Sequence, residues 1–394
     1  AILIDGDRID IWASAPPLVS NGVRYGNDSI EYIRSTDGGK TWTEWKTVLY
    51  PTLNSEDQWS TCDPGAFKYG DYYYVGYTGS PEFRTNPDKE KQVNNLFIAR
   101  AKNPEGPYEK WNGNGWGGDP YAITRYSGDG VGCSMPSFTV KGDTLYMYYV
   151  DQTHPDQDWN SEGNISVSTF SLKDPNWPGN ELSNKMCENK PEEVRYCPDI
   201  DKFIGFQLKG GWDYDSYVEI YESTDGVNFT KTSSFRNNFP HYAHNIGISG
   251  NNLGQLDLSI QNYIGTAYTP TGVEAWWGHW HTQLIPLYIR EEQPSSTTPS
   301  QPSGSTDSSS RKPTTSSVGS TDGKSSETEV SEPQNSNIES TVSDNKDKDK
   351  EVNNKTEQQE ETSYLWLYIV IGAVVVLAGA GTAVYFLVIK KKHV

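Results

Sequence analysis

The sequence has few cysteines and few basic residues, and it lacks any spaced set of cysteine and histidine residues. Residues 1–290 carry 37 acids and 23 bases, a net charge of −14 that argues against nucleic acid as a partner. Because no Cys/His spacing typical of zinc sites is present, no metal ligands are assigned. A glycine-rich phosphate loop is also missing from the sequence.

The four cysteines, Cys62, Cys133, Cys187 and Cys197, suit an oxidising exterior but do not prove disulfides. Cys187 and Cys197 could close a short loop. Cys62 and Cys133 occupy similar places in a repeat described below and could also meet. Buried free thiols are the alternative to both pairings.

The C-terminal part changes in composition twice. Residues 291–363 are rich in Ser, Thr, Glu, Gln, Asn and Lys, so they are predicted to form a disordered stalk. Residues 364–389 form an apolar run of 26 residues without a charge, which predicts a transmembrane helix rather than a buried core helix. Lysines follow in the tail 390–394, so the positive-inside rule places this tail in the cytoplasm. Residues 1–290 are therefore expected outside the cell, on a single-pass membrane anchor.

Residues 1–290 contain short alternating runs of aromatic and β-branched residues, separated by Gly, Asn, Asp and Pro. No helical period of useful length interrupts them. This pattern predicts an all-β fold.

A hairpin motif recurs within this region. DPGAFKYGDYYYVGYT, from Asp63, aligns with MPSFTVKGDTLYMYYVD, from Met135, and with AILIDGDRIDIWAS, from Ala1. Two more diverged copies begin at Glu193 and near His244. Five copies, each followed by further strands, predict a five-bladed β-propeller, whereas a β-sandwich would not explain the repeat.

Two segments match the Asp-box pattern S-x-D-x-G-x-T-W. STDGGKTW, residues 35–42, is a full match, and STDGVNF, residues 223–229, is a degenerate copy. The pattern predicts a tight turn between outer strands, in which the aspartate accepts hydrogen bonds from the backbone. It supports a propeller and carries no chemistry by itself.

The first hairpins, DPGAFKYGDYYYVGYT and PSFTVKGDTLYMYY, resemble the inner strands of five-bladed propeller glycoside hydrolases. Family 43, with its β-xylosidases, arabinofuranosidases and arabinanases, is the nearest group, and the resemblance covers most of residues 1–290. It implies an aspartate base, a second aspartate that tunes a pKa, and a glutamate acid at one end of the axial channel. It implies no required cofactor, although one Ca²⁺ in the channel is compatible with it.

Carried onto this sequence, the resemblance gives three catalytic candidates, because each opens one copy of the repeat. Glu193 matches the general acid. Asp63 is expected either to tune the pKa of that acid or to serve as the base. His244 is expected near the axis, in contact with a central ion or water.

Two departures from the family pattern are visible. The blade-one position lies two residues before Ala1, and the chain begins without Met or a signal peptide, so we expect a missing segment upstream that holds the base. The blade-three position is Met135 rather than an acid. Asp129 and Asp151 are imperfect substitutes for it.

Aromatic side chains are the main candidates for sugar binding, since sugar rings stack on aromatic faces, although most propeller aromatics pack between blades. Arg195 could hold a carboxylate or a sugar hydroxyl. The predicted platforms are Trp59, Trp116, Trp212, Trp276 and Trp280.

The sequence therefore predicts a membrane-anchored extracellular glycoside hydrolase that cleaves oligo- or polysaccharides with Asp/Glu acid–base chemistry. The alternative is a carbohydrate-binding or adhesion propeller without catalysis, which the absent blade-three acid favours. A sialidase is less favoured, because the chain has no R-I-P segment and five repeats rather than six.

Overall fold

The computed structural model describes residues 1–81, 94–125, 131–153, 163–270 and 280–289. These ranges contain 21 β-strands and no α-helix, so the prediction of an all-β fold is confirmed. The chain divides into two units, Ala1–Thr298 and Pro299–Val394, and every described residue belongs to the first. The predicted stalk, transmembrane span and tail lie outside the described residues. No helix long and apolar enough to span a membrane occurs in the ranges above.

The strands form five successive blades, I to V, each described from its innermost strand; blades I and V share one seven-stranded sheet, and blades II to IV are separate four-stranded sheets. Blade I contains β1 (Ile2–Asp5), β2 (Arg8–Ala15), β5 (Ser29–Ser35) and β6 (Lys46–Leu49), with an extra hairpin of β3 (Leu18–Ser20) and β4 (Val23–Tyr25). Blade II contains β7 (Ser60–Tyr69), β8 (Tyr72–Ser80), β9 (Asn95–Ala101) and β10 (Glu109–Lys110). Blade III contains β11 (Gly132–Lys141), β12 (Thr144–Gln152), β13 (Asn164–Ser171) and β14 (Glu181–Met186). Blade IV contains β15 (Glu193–Cys197), β16 (Lys202–Lys209), β17 (Tyr217–Ser223) and β18 (Thr230–Phe235). Of blade V the structure describes β19 (Ala243–Gly250), β20 (Asn262–Tyr268) and β21 (His281–Leu287).

The inner hairpins form where the sequence supplies residues that tolerate a left-handed backbone. The turns of blades I to III place Gly6, Gly70 and Gly142 at φ values of 61°, 59° and 63°, which glycine adopts without a steric penalty. The turn of blade IV is longer, and Asp201 takes the left-handed position at φ 51°. This longer turn explains why the Gly-Asp pair is missing from the fourth copy of the repeat.

The five inner strands close a ring. β7 packs on β2 and β11, β11 on β15, and β15 on β19. β1 pairs in parallel with β19 through Ile2 opposite Ser249, so blades I and V form one continuous sheet. Apolar cores fill the spaces between blades; a Cβ on Gly76 of blade II would lie 2.4 Å from the ring of Phe138 in blade III. Radial packing of this kind is the architecture of a β-propeller.

The two ends of the ring differ. The loop at 251–256 forms backbone hydrogen bonds with Lys68, Val140 and Tyr196, each near the C-terminal end of an inner strand. This end is termed the closed face. The opposite end, where β7, β11, β15 and β19 begin, is termed the open face. The first residues of these inner strands therefore lie at the open face.

The two S-x-D segments form turns on the closed side of blades I and IV. Asp37 Oδ1 accepts hydrogen bonds from the backbone N–H groups of Lys40 and Thr41 at 3.1 and 2.9 Å. Asp225 Oδ1 accepts from the N–H groups of Val227 and Asn228, both at 2.8 Å. These bonds hold each turn between the third and fourth strands of its blade. They have no contact with the open face.

All four cysteines carry free thiols, so neither of the two considered pairings forms. Cys133, Cys187 and Cys197 are buried, and Cys62 is half-buried at the start of β7. They match the alternative of buried free thiols.

Candidate functional site

Two inner strands begin with the same irregularity at the open face. The register of β7 on β8 and that of β11 on β12 both shift around an X–Pro pair, Asp63–Pro64 in β7 and Met135–Pro136 in β11. Asp63 and Met135 have φ values of 50° and 58°, a conformation that costs energy for a residue other than glycine. The N–H of Asp63 donates to Ser14 Oγ of blade I at 2.7 Å. The predicted equivalence of Asp63 and Met135 is confirmed by this geometry.

The carboxyl group of Asp63 is half-buried among weak donors. Its Oδ2 lies 3.4 Å from Cys62 Sγ, and the hydroxyl of Thr78 also bonds to it. Burial raises the pKa of Asp63, the two donors oppose this, and the nearby charge of Asp28 raises it further. The surroundings therefore favour the protonated form more than water does.

Glu193 has different surroundings. Its Oε2 accepts a hydrogen bond from Ser137 Oγ at 3.0 Å and forms an ion pair with Arg195 Nη2 at 2.9 Å. Arg195 is only 4% exposed, and its Nε and Nη2 also donate to the Ile248 carbonyl of blade V at 3.1 and 2.6 Å. The interpretation of Arg195 as a sugar-binding residue is not supported, because its guanidinium is enclosed by protein partners. Its contacts position Glu193 instead.

Strand register corrects the alignment that placed Glu193 on the position of Asp63. Counted back from the hairpin turn, Glu193 occupies the place of Gly65 in β7 and Ser137 in β11. This place lies two residues further along the strand than Asp63. The longer turn of blade IV caused the error, since the alignment had no independent anchor for the turn.

Both carboxyl groups lie where an inner strand begins. Asp63 is in the first part of β7, and Glu193 is the first residue of β15. Because both strands begin at the open face and pack on the same strand, β11, the two residues lie on one face of the ring although they are far apart in the sequence.

Three further candidates form an aromatic cluster, consisting of Trp212, His244 and Trp280. The ring of His244 stacks on that of Trp280 at 4.5 Å, and Trp212 lies 4.4 Å from His244 and 4.6 Å from Trp280. Trp212 belongs to the loop between β16 and β17 on the open face and is 38% exposed. Burial lowers the pKa of His244 to about 4, so its imidazole is neutral at neutral pH. The cluster presents an aromatic surface rather than a proton donor.

The other three tryptophan candidates lie in different surroundings. Trp59 directly precedes β7 and is half-buried at the open face. Trp116 is half-buried and packs against Tyr74 at 5.7 Å and Trp111 at 5.5 Å, at the edge of the core between blades II and III. Its interpretation as a sugar platform stays a prediction. Trp276 lies outside the described residues.

Sequence reasoning missed Asp28, which directly precedes β5. Its Oδ2 accepts hydrogen bonds from Ser60 Oγ at 2.8 Å and from Asn27 Nδ2 at 3.1 Å. Burial raises the pKa of Asp28, and these donors oppose the increase. In the sequence, Asp28 belongs to a GNDS segment that is typical of a turn. Only the packing of blade I against β7 brings it to the site.

The calcium ion that the resemblance implies needs six to eight oxygen ligands. Within the described ranges, no three His, Cys, Asp or Glu side chains lie together in a way that could hold a metal ion. His244, the expected contact of a central ion, stacks on Trp280 instead. No calcium site is therefore assigned among the described residues.

The two acids considered as substitutes in blade III are not assigned to the site. Asp129 lies outside the described residues, and Asp151 accepts a hydrogen bond from Ser166 Oγ at 3.1 Å.

Comparison with known proteins finds matches only among solved structures: no family model and no curated protein matches the chain. A family 117 glycoside hydrolase from Zobellia galactanivorans is 15% identical, with 72% of this chain and 81% of that chain covered and a TM-score of 0.47. The catalytic domain of the Coprinopsis cinerea family 62 α-L-arabinofuranosidase is 11% identical, with coverages of 72% and 87% and a TM-score of 0.48. A family 43 α-L-arabinofuranosidase from Clostridium thermocellum is 13% identical, with coverages of 74% and 94% and a TM-score of 0.44.

Proposed function

We propose that the protein is a glycoside hydrolase that acts on oligo- or polysaccharides, with Asp63 and Glu193 as its two catalytic carboxyl groups. Glycoside hydrolysis needs one carboxyl group to protonate the leaving oxygen and a second to activate water or attack the anomeric carbon. A pair of carboxyl groups in contrasting surroundings meets this need.

The observation that carries the proposal is the position of Asp63 and Glu193 at the starts of two inner strands, β7 and β15, on the open face. Asp63 sits in a strained bulge among weak donors, and strained backbone is concentrated at functional sites. Glu193 is held by Ser137 and an ion pair with Arg195.

The aromatic cluster of Trp212, His244 and Trp280 supports a carbohydrate ligand. Exposed aromatic rings offer a flat apolar face of the kind on which a sugar ring can stack. Trp59 lies on the same face and is a second candidate contact. We assign sugar binding to Trp212, Trp280 and Trp59, and a positioning role beside them to His244.

The test is hydrolysis by the full chain of a panel of aryl xylosides, arabinofuranosides and fructosides, together with the corresponding oligosaccharides. We expect sugar release from at least one of them, and loss of release in Asp63→Asn and Glu193→Gln. Asp71→Asn serves as a matched control, because Asp71 is exposed in the β7–β8 turn on the closed face. Equal activity in all four proteins would overturn the proposal.

A non-catalytic carbohydrate-binding propeller is the second candidate. Met135 favours it, since it occupies in blade III the bulge position that holds Asp63 in blade II. Calorimetry with the same oligosaccharides separates the two functions: heat of binding without sugar release would establish the binding protein.

We also propose that residues 364–389 anchor the protein in the cell membrane, with residues 1–290 outside on the stalk 291–363 and residues 390–394 in the cytoplasm. The apolar run and the lysines that follow it support this arrangement. Protease treatment of intact cells should release residues 1–290 and leave the tail protected. Recovery of the protein in the soluble fraction of lysed cells would contradict the anchor.

A further inference from the structure

A chain of polar contacts leads from Asp63 to Asp28. Cys62 Sγ lies 3.4 Å from Asp63 Oδ2 and 3.4 Å from Ser60 Oγ. Ser60 Oγ in turn donates to Asp28 Oδ2 at 2.8 Å. Two carboxyl groups from blades I and II are therefore connected through one thiol and one hydroxyl.

The two carboxyl groups are unequal. Asp28 accepts from the Ser60 hydroxyl and the Asn27 amide, and the positive charge of Arg24 is near it. Asp63 has the Cys62 thiol and the Thr78 hydroxyl as donors, and thiols are weak donors. Of two like charges at one site, the better solvated one persists and the other is neutralised by a proton. The negative charge therefore belongs on Asp28 and the proton on Asp63.

The donors to the two carboxyl groups agree with this distribution. The hydroxyl of Ser60 donates to Asp28 Oδ2, and the thiol of Cys62 donates to Asp63 Oδ2. Because a thiol is the weaker donor, the carboxylate of Asp28 is better stabilised than that of Asp63.

The titratable groups around Asp63 come from two elements. Asp28 precedes β5, and Cys62 is the neighbour of Asp63 in β7. Burial raises the pKa of the Cys62 thiol, which keeps it neutral. Glu193, at the start of β15, has the Ser137 hydroxyl and the Arg195 guanidinium as partners.

We infer that Asp63 is the group that protonates the leaving oxygen, and that Asp28 is a positioning residue whose nearby negative charge keeps Asp63 protonated. The inference rests on the proposed function, and it reverses the roles that the family resemblance implies for Asp63 and Glu193. As the glycosidic C–O bond breaks, its electron pair stays on the leaving oxygen, which takes the proton of Asp63. Glu193 takes a proton from the water that adds to the anomeric carbon. Solvent then returns a proton to Asp63 and removes one from Glu193.

The first test does not depend on activity. Aspartate side chains labelled with ¹³C at the carboxyl carbon are titrated by NMR in the full chain, and Asp63→Asn identifies the Asp63 resonance. In Asp28→Asn the midpoint of Asp63 should move to lower pH, because a like charge is removed. In Cys62→Ala it should move to higher pH, because a donor to the carboxylate is removed while Asp28 remains charged. A midpoint that is unchanged in both variants overturns the role of Asp28, and Asp71→Asn is the control.

The second test assigns the proton donor. Aryl glycosides with an acidic phenol need little protonation, so Asp63→Asn should lose at least tenfold less activity on them than on oligosaccharides. Glu193→Gln should lose similar activity on both. The opposite pattern would make Glu193 the acid and overturn the assignment.

The pH profile completes the test. The alkaline limb of kcat/KM should move to lower pH in Asp28→Asn, whereas a purely structural role would reduce the rate at every pH and leave the limb in place. If the wild-type chain hydrolyses nothing, the proposed function fails, while the NMR titration still decides whether Asp28 controls Asp63.

Discussion

Blades I and II contain two acid sites with opposite chemistry. Asp57 is fully buried; its Oδ2 bonds to Lys110 Nζ at 2.5 Å and accepts from Tyr77 Oη at 2.8 Å. Asp28 and Asp63 are half-buried at the open face, where Ser60 donates to Asp28 and Cys62 donates to Asp63. The first site pairs opposite charges, and the second brings like charges together.

The difference separates a structural charge from a reactive one. A buried carboxylate with a cation and well-placed donors has its charge neutralised, and it resists any change of protonation. Burial lowers the pKa of Lys110, and the charge of Asp57 beside it opposes the decrease. In a pair of like carboxyl groups, the less stabilised group instead holds a proton, which is the usual condition of a catalytic acid. The sign of the neighbouring charge therefore distinguishes a structural carboxyl group from a reactive one.

The largest expected effect is on the reactive site. Asp63→Asn and Glu193→Gln should each lower kcat/KM by about 10³-fold, the typical contribution of acid–base catalysis. The measurement is initial-rate kinetics on the best substrate of the panel. Glu44→Gln is the control for Glu193, because Glu44 is exposed in the loop between β5 and β6. A loss below tenfold in both site variants would show that these carboxyl groups are not catalytic.

Substitution at the Asp57–Lys110 pair should lower the stability of the fold and leave the catalytic rate unchanged. Asp57→Ala leaves Lys110 buried without its counter-charge, so the free energy of unfolding should fall by ~3–5 kcal/mol. Urea unfolding followed by tryptophan fluorescence gives this value. The double variant Asp57→Ala/Lys110→Met should recover part of the loss, because it leaves no uncompensated charge. A single-variant loss below ~1 kcal/mol would remove the contrast between the two sites.

The aromatic cluster extends the comparison to the two faces of the ring. Trp212→Ala should raise KM about tenfold with little change in kcat, since a contact worth ~1.4 kcal/mol in substrate binding is lost. Trp45→Ala is the matched control, because Trp45 is 44% exposed in the β5–β6 loop on the closed face. Equal KM values for the two variants would place the substrate elsewhere.

The smallest effect concerns stability and pH. The pKa of Asp63 is raised by folding above its ordinary value of 3.8, so the folded state binds more protons than the unfolded state as the pH rises above about 4. Wild-type stability therefore falls between that pH and the raised pKa. Asp63→Asn cannot ionise and should therefore be more stable than wild type at pH 7, with the difference absent at pH 3.

Thermal unfolding at the two pH values measures this effect. A destabilised Asp63→Asn at pH 7 would mean that Asp63 stabilises the fold, as Asp57 does. The two acid sites would then no longer differ in kind.

Much of the fold was predictable because its cause is local. The alternating aromatic and β-branched runs indicated strands, and the turn at Gly70 is visible as a Gly-Asp pair. The site was predictable only where it repeats this local pattern, as at Asp63. The alignment of Glu193 with Asp63 was wrong because the turn of blade IV is longer, and nothing in the sequence indicated that length.

By itself, the sequence determined that residues 1–290 form repeated hairpins, since alternation and turn residues act within a few positions along the chain. Only the tertiary structure decided which side chains meet. Asp28 joins Asp63, and Trp212 joins Trp280, because ring closure brings the ends of separate blades to one face. Contacts of this kind depend on packing between distant segments, and they leave no periodic trace in the order of the residues.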